Sequence, residues 1–228
     1  MSLRCNKFLV VVIFICCYAF VSCKKDDAPR PLQIGEYTSD KAGDFSSVRL
    51  FAKSGEIKDQ NLINAYKVKF AKDLNPANSG GAIADTFTVI DENNAKYGSR
   101  NFSVSKMDNF YQFTTKDTVT IFGQLDQVYY NIVKYKPYYI STPIPSSTGS
   151  NYLTTTLGYY YASTTPNGLV FPMINVIRFA TIAPPVIGGN YMYYNNYKVN
   201  NVFDDKFPVN ILTSDSVLVQ TFNVYYKK

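Results

Sequence analysis

The sequence predicts an all-β protein, a β-sandwich or open barrel of about ten strands with one inserted helix at about 59–72. Three observations carry that expectation. The 228 residues include 20 Tyr and 16 Phe beside abundant Val and Thr, the side chains that suit a pleated, half-buried surface. From residue 85 onward every periodic stretch is short and bounded by Gly, Pro, Asn or Asp, as strands are. The one stretch at helical spacing lies before that point, where Leu62, Ile63, Tyr66 and Phe70 fall on one stripe.

Ahead of the fold stands a leader. Arg4 and Lys7 make a positive start, residues 8–21 are an unbroken apolar run, and Ser22-Cys23 precedes Lys24-Lys25-Asp26-Asp27. Charged start, apolar middle and small residue before a break form the pattern of an export signal. The run of 14 residues is too short to span a bilayer, which takes about 20. A small residue directly before Cys23 marks that thiol for lipidation. The expected organisation is therefore a signal peptide over 1–22, a lipidated Cys and tether over 23–33, and a single β-rich domain over 34–228. Phe20 stands where a lipoprotein signal usually has Leu, three places before the Cys.

The start Ser22-Cys23-Lys24-Lys25-Asp26-Asp27 resembles that of mature outer-membrane lipoproteins of the Bacteroidetes group. In that group an acidic cluster behind the lipidated Cys accompanies export to the cell surface. The resemblance covers six residues. It implies an outer-membrane, lipid-anchored and surface-exposed location, with the membrane as a partner through Cys23, and nothing about the folded part.

Along the domain, 34–38 reads as the first strand and 46–53 as the second, with Val48, Leu50 and Ala52 alternating against Arg49, Phe51 and Lys53. The helix follows, with Asp59 placed to cap its first turn and Asn75-Pro76 to stop it. Covering a sheet face is the usual employment of such a stripe. Strands are then expected at 86–90, 101–105, 110–114 and 118–122, the last two as a hairpin about Lys116-Asp117. A long aromatic strand is expected at 127–136, a loop at 141–151, and strands at 152–162, 174–181, 191–199 and 217–226. The opening Gly35-Glu36-Tyr37 is similar to the Gly-x-Trp of lipocalins, with Tyr for Trp. In lipocalins the helix follows the barrel strands, whereas here it interrupts an early pair. That similarity implies a carrier of a small apolar ligand.

Absences narrow the chemistry. There is no His, and all four Cys lie within the first 23 residues. The domain can therefore hold no disulfide, no Ser-His-Asp or Cys-His nucleophile system, and no zinc site built on those ligands. No cofactor and no metal site is expected. Removing 1–22 leaves 206 residues with 21 basic and 17 acidic side chains, a mild excess with no block of like charge. That is a solubilising surface, and no nucleic-acid partner is expected. A carboxylate glycosidase is the enzymatic alternative, since it needs only two acids flanking a bond. The adjacent pairs Asp91-Glu92 and Asp204-Asp205 sit beside Asn and read instead as turn residues. The chain is thus expected to be a non-enzymatic binding or structural module.

The compositional anomaly is Tyr, with 15 of the 20 between Tyr129 and Tyr226. Tyr129, Tyr130, Tyr159, Tyr160, Tyr161, Tyr193 and Tyr194 form the candidate binding surface, for a polysaccharide or a protein partner. Neighbours on a strand point to opposite faces, so Tyr159 and Tyr161 should share one face and Tyr160 take the other.

Overall fold

The computed structural model describes residues 30–75, 86–122, 126–145, 151–181, 192–207 and 216–228, without the side chains between 180 and 195. The leader and Cys23 lie outside these residues. The described elements run β1 (Gly35–Gly43), β2 (Arg49–Ala52), β3 (Gly55–Ile57), α1 (Gln60–Lys69), α2 (Ala71–Leu74), β4 (Thr86–Asp91), β5 (Asn94–Tyr97), β6 (Arg100–Met107), β7 (Phe110–Thr115) and β8 (Val119–Phe122). Then come α3 (Gln127–Ile132), β9 (Tyr139–Ile144), β10 (Asn151–Thr156), β11 (Tyr159–Thr165), β12 (Gly168–Thr181), β13 (Met192–Asn200) and β14 (Ser216–Lys227).

The all-β expectation holds, and the barrel is closed. Strands run in the order β12-β11-β7-β6-β5-β4-β1-β14, and β14 pairs back onto β12, giving eight antiparallel strands with no free edge. Alternation sends one side chain in two to the interior. Phe87, Phe102, Phe113, Leu169, Phe171, Tyr37 and Tyr226 fill it, none more than 2 % exposed. Phe87 meets Phe113 edge-on at 4.8 Å and Phe171 at 5.3 Å. Each ring so buried stabilises the fold by about 2–3 kcal/mol. Closure depends on Gly168, where φ is +153° and a Cβ would lie 1.8 Å from the Tyr226 carbonyl oxygen. Only glycine lets β12 start that close to β14.

At 14 residues β12 is about 45 Å long, more than the barrel can use. It pairs with β14 almost throughout, but its other edge changes partner, from β11 at 168–170 to β13 at 173–181. Likewise β14 exchanges β1 for β2. The two long strands thereby continue into a sheet of order β13-β12-β14-β2-β3. One face of it, with Leu50, Ile177, Phe179 and Leu218, is covered by Ile63 and Phe70 at the helices α1 and α2. The other, with Phe51, Ile174, Val176, Val217 and Val219, is covered by Val128 and Ile132 of α3 and by Phe207.

The helix at 59–72 is found as α1 and α2. The Asp59 side chain accepts hydrogen bonds from the N–H groups of Asn61 and Leu62, and the stripe buries Ile63 and Phe70. Elsewhere particular segments differ. Residues 127–132 form the helix α3 rather than a strand: Asp126 accepts from the Val128 N–H, and Val128 and Ile132, four apart, are the buried pair. The hairpin about Lys116-Asp117 does not form, because β7 pairs with β6 and β11 while β8 joins β10 in a separate sheet of order β8-β10-β9. The segment 152–162 divides between the two sheets at Leu157-Gly158. The loop at 141–151 contains most of β9, an edge strand that tolerates Pro143.

Candidate binding cavity at the barrel mouth

A cavity of about 470 Å³ opens where β11 leaves β12 and β13 takes over. Its floor is the exit of the barrel core, with Phe171, Met173, Tyr97 and Tyr160. Its walls come from Tyr129 on α3, Leu157 to Tyr159 before and in β11, Val119 of the small sheet, and Lys198 to Asn201 at the end of β13. This is a concave, mostly apolar site with a few convergent polar groups, the usual form of a small-ligand pocket.

The partner exchange leaves part of the β12 edge without a strand. Pro172 falls there, where its missing N–H forgoes no ladder bond. The side chain of Asn200 bridges the gap. Its Nδ2 donates to the carbonyls of Tyr161 (3.2 Å) and Pro172 (3.0 Å), and its Oδ1 accepts from the Tyr161 N–H. Asn201, 5 % exposed, does the same for the chain after α3. Its Oδ1 accepts from the Tyr135 N–H and its Nδ2 donates to the Tyr135 carbonyl. Two carboxamides thus act as short pieces of strand and hold the rim open. Neither is among the site residues expected from sequence, and the signal that points to them is Pro172 within an otherwise regular strand pattern.

Of the seven tyrosines expected to form a surface, the cavity gathers Tyr129, Tyr159 and Tyr160. Tyr160 points inward, 5.5 Å from Phe102 and 5.7 Å from Tyr97. Tyr161 points the other way and is buried, stacked on Tyr135 at 4.8 Å with Gln112 donating to its hydroxyl. Tyr160 and Tyr161 thus face opposite ways, as expected of neighbours on a strand. Tyr130 packs edge-on against Tyr139, with the Lys136 ammonium 5.7 Å from its ring, and is not a lining residue. The backbones of Tyr193 and Tyr194 pair with Ala180 and Phe179, and their side chains lie outside the described residues. Among the described residues, the hydroxyls of Tyr129, Tyr159 and Tyr160 have no hydrogen-bond partner and remain available to a ligand.

The electrostatics of the mouth are those of a partly dry site. Burial pushes the Tyr129 phenol above its ordinary pKa, with Tyr161 and Tyr160 adding to the effect. Burial lowers that of Lys198, opposed by the Asp73 carboxylate. Carboxylates elsewhere are engaged in structure. Asp91 accepts from the Asn93 N–H and from Asn94, and Asp204 from the Lys206 N–H, as turn residues do. Asp205 pairs with Arg49, whose guanidinium also holds Glu56 and lies over Phe51 and Phe203. Every displaced carboxyl pKa among the described residues moves down, Glu56 to about 2 through hydrogen bonds from Arg49 and Lys58. No described group of His, Cys, Asp and Glu is arranged to hold a metal ion, and no described helix is long and apolar enough to cross a membrane. Compared with protein-family models, curated proteins and solved structures, the chain matches none.

Proposed function

We propose that this protein is a lipid-anchored module of the outer-membrane surface that binds a saccharide at the barrel mouth and does no chemistry on it. The observation that carries the reading is the tyrosine-lined cavity with three free hydroxyls. A tyrosine ring offers a flat apolar face to the C–H face of a sugar, and its hydroxyl bonds the sugar's own. The carrier alternative finds less support, because the barrel interior is filled by aromatic rings and has no room for an apolar guest. So does the glycosidase alternative, which needs one carboxyl raised to serve as acid, whereas no acid lines this cavity among the described residues.

The tether supports an outward-facing mouth. The Tyr111 hydroxyl donates to the Arg30 carbonyl and accepts from the Leu32 N–H, and Thr164 Oγ1 donates to the same carbonyl. Tyr111 and Thr164 lie toward the ends of β7 and β11 away from the cavity. Cys23 is seven residues before Arg30, a reach of at most about 25 Å. A lipid on Cys23 would therefore hold that end to the membrane and leave the mouth toward the medium.

Two measurements test the proposal. In cells fed labelled palmitate, the wild-type chain should carry label and Cys23→Ala should not; equal labelling refutes the anchor. In affinity electrophoresis of the full-length protein in mild detergent, a polysaccharide in the gel should retard it. Tyr159→Ala should weaken retention about tenfold, the scale of one lost aromatic contact, and Tyr130→Ala should leave it unchanged. Equal effects of the two, or no retention by any saccharide, refute the site.

A further inference from the structure

We infer that the saccharide held at the mouth carries a carboxylate, bound by Lys198. The inference rests on the saccharide reading above and names its chemical class. Lys198 is the one charged side chain among the described lining residues, and neither Asp nor Glu joins it there. It stands on β13 opposite Asn175 and reaches toward the end of α2, where its Nζ donates to the Asn75 carbonyl at 3.1 Å. It makes no other hydrogen bond and no ion pair among the described residues.

An ammonium has three N–H groups, so two remain unassigned. Asp73 is the nearest source of compensation, but its carboxylate already accepts from Asn196 Nδ2 and does not close on Lys198. The charge is thus partly desolvated without a full partner, as the lowered pKa of this lysine also reflects. A ligand carboxylate would supply that partner through a charge-assisted hydrogen bond. One ammonium matches a singly charged group. A sulfate or phosphate calls for several donors, in an Arg fork or a nest of backbone N–H groups, and the described lining contains no Arg. Tyr129 and Tyr159 are placed to meet the sugar ring and its hydroxyls while Lys198 fixes the acid.

The test uses the full-length protein in mild detergent, with polygalacturonate and the same polymer after reduction of its carboxyl groups to primary alcohols. Affinity electrophoresis gives an apparent constant for each. Wild type should bind the acid form at least about tenfold more tightly, the scale of one charge-assisted hydrogen bond. Lys198→Met should bind the two alike, at the level of the reduced polymer, while Lys198→Arg should keep the preference. Lys53→Met, the same change of net charge at an exposed site on the β2–β3 turn, should also keep it. Equal binding of both polymers by wild type overturns the inference and leaves the saccharide reading standing. A loss in Lys53→Met as large as in Lys198→Met shows diffuse attraction to a basic protein and overturns it as well. If neither polymer is retained, the inference is overturned, and the saccharide reading stands or falls on other polysaccharides. Thermal melts identify a variant that has merely unfolded, and the wild-type comparison of the two polymers needs no variant.

Discussion

Replacing Asn200 by Ala should destabilise the fold far more than its half-buried position suggests. The side chain makes three hydrogen bonds to main-chain groups across the β11–β13 gap. The Pro172 carbonyl would keep a second donor, the Asn201 N–H at 3.1 Å. The Tyr161 N–H and carbonyl would lose the partner they have on that side, because β11 meets β12 only from Ser163 onward. Two orphaned main-chain groups at about 1–2 kcal/mol each, with some relief from water entering the mouth, give about 2–4 kcal/mol. For a domain of this size that lowers the melting temperature by roughly 5–15 °C.

Thermal unfolding followed by circular dichroism measures it, with Asn200→Asp as the companion variant. The aspartate keeps an acceptor for the Tyr161 N–H but sets a carboxylate oxygen against two carbonyls. It should melt no higher than the alanine variant at pH 7. Protonation would restore a donor, so the folded-state pKa of the new carboxyl must lie above its unfolded value. Its relative stability is then greatest below the unfolded pKa and is lost as pH rises through the folded one. If Asn200→Ala melts within about 1 °C of wild type, well under the cost of one orphaned group, the carboxamide does not bridge the gap. The account of the rim then fails.

Gly168→Ala should prevent barrel closure, since its Cβ would meet the Tyr226 carbonyl at 1.8 Å in a conformation that L-residues avoid; a loss of about 3 kcal/mol or more is expected in denaturant melts, and a wild-type midpoint refutes it. Glu56, held at about 2 by Arg49 and Lys58, contributes stability that is full above its unfolded pKa of about 4.3 and lost as pH falls through 2. Acid unfolding of Glu56→Gln should therefore be flatter across that window than wild type, and an unchanged acid limb refutes the pairing.

The general class was legible because it depends on local properties. Tyr, Phe, Val and Thr in short runs imply sheet whichever strands pair, and a capping Asp59 before a stripe of Ile63 and Phe70 implies a helix. The opposition of Tyr160 and Tyr161 needed only the period of a strand. What stayed hidden depends on pairing between distant residues or on very short elements. Six residues of α3 hold one buried i, i+4 pair, and two adjacent tyrosines between them imitate a β run. Closure requires Gly168 to meet Lys227, a pairing that no local pattern announces. Asn200-Asn201 do what Asn does in turns, bonding main chain through a short carboxamide, but the main chain they bond lies 39 and 66 residues away.

A strand of 14 residues in a barrel whose neighbouring strand β11 has seven must outlast it. The overhang can bury its apolar faces only by recruiting β13, β2, β3 and the helices as a second sheet. Both β13 and β11 run antiparallel to β12 and follow one another along the same edge, so that edge breaks between the end of β13 and the first paired residue of β11. At the break the barrel core is laid open from the side, and its aromatic rings become a floor instead of an interior. The tyrosines there are consequently the ones able to serve both packing and a ligand: Tyr160 has its ring against Phe102 and its hydroxyl free. Tyr161, one residue on, points to the opposite face and is sealed against Tyr135. The cavity is in this sense a consequence of strand length, and shortening β12 and β14 together to barrel length would remove it along with the second sheet.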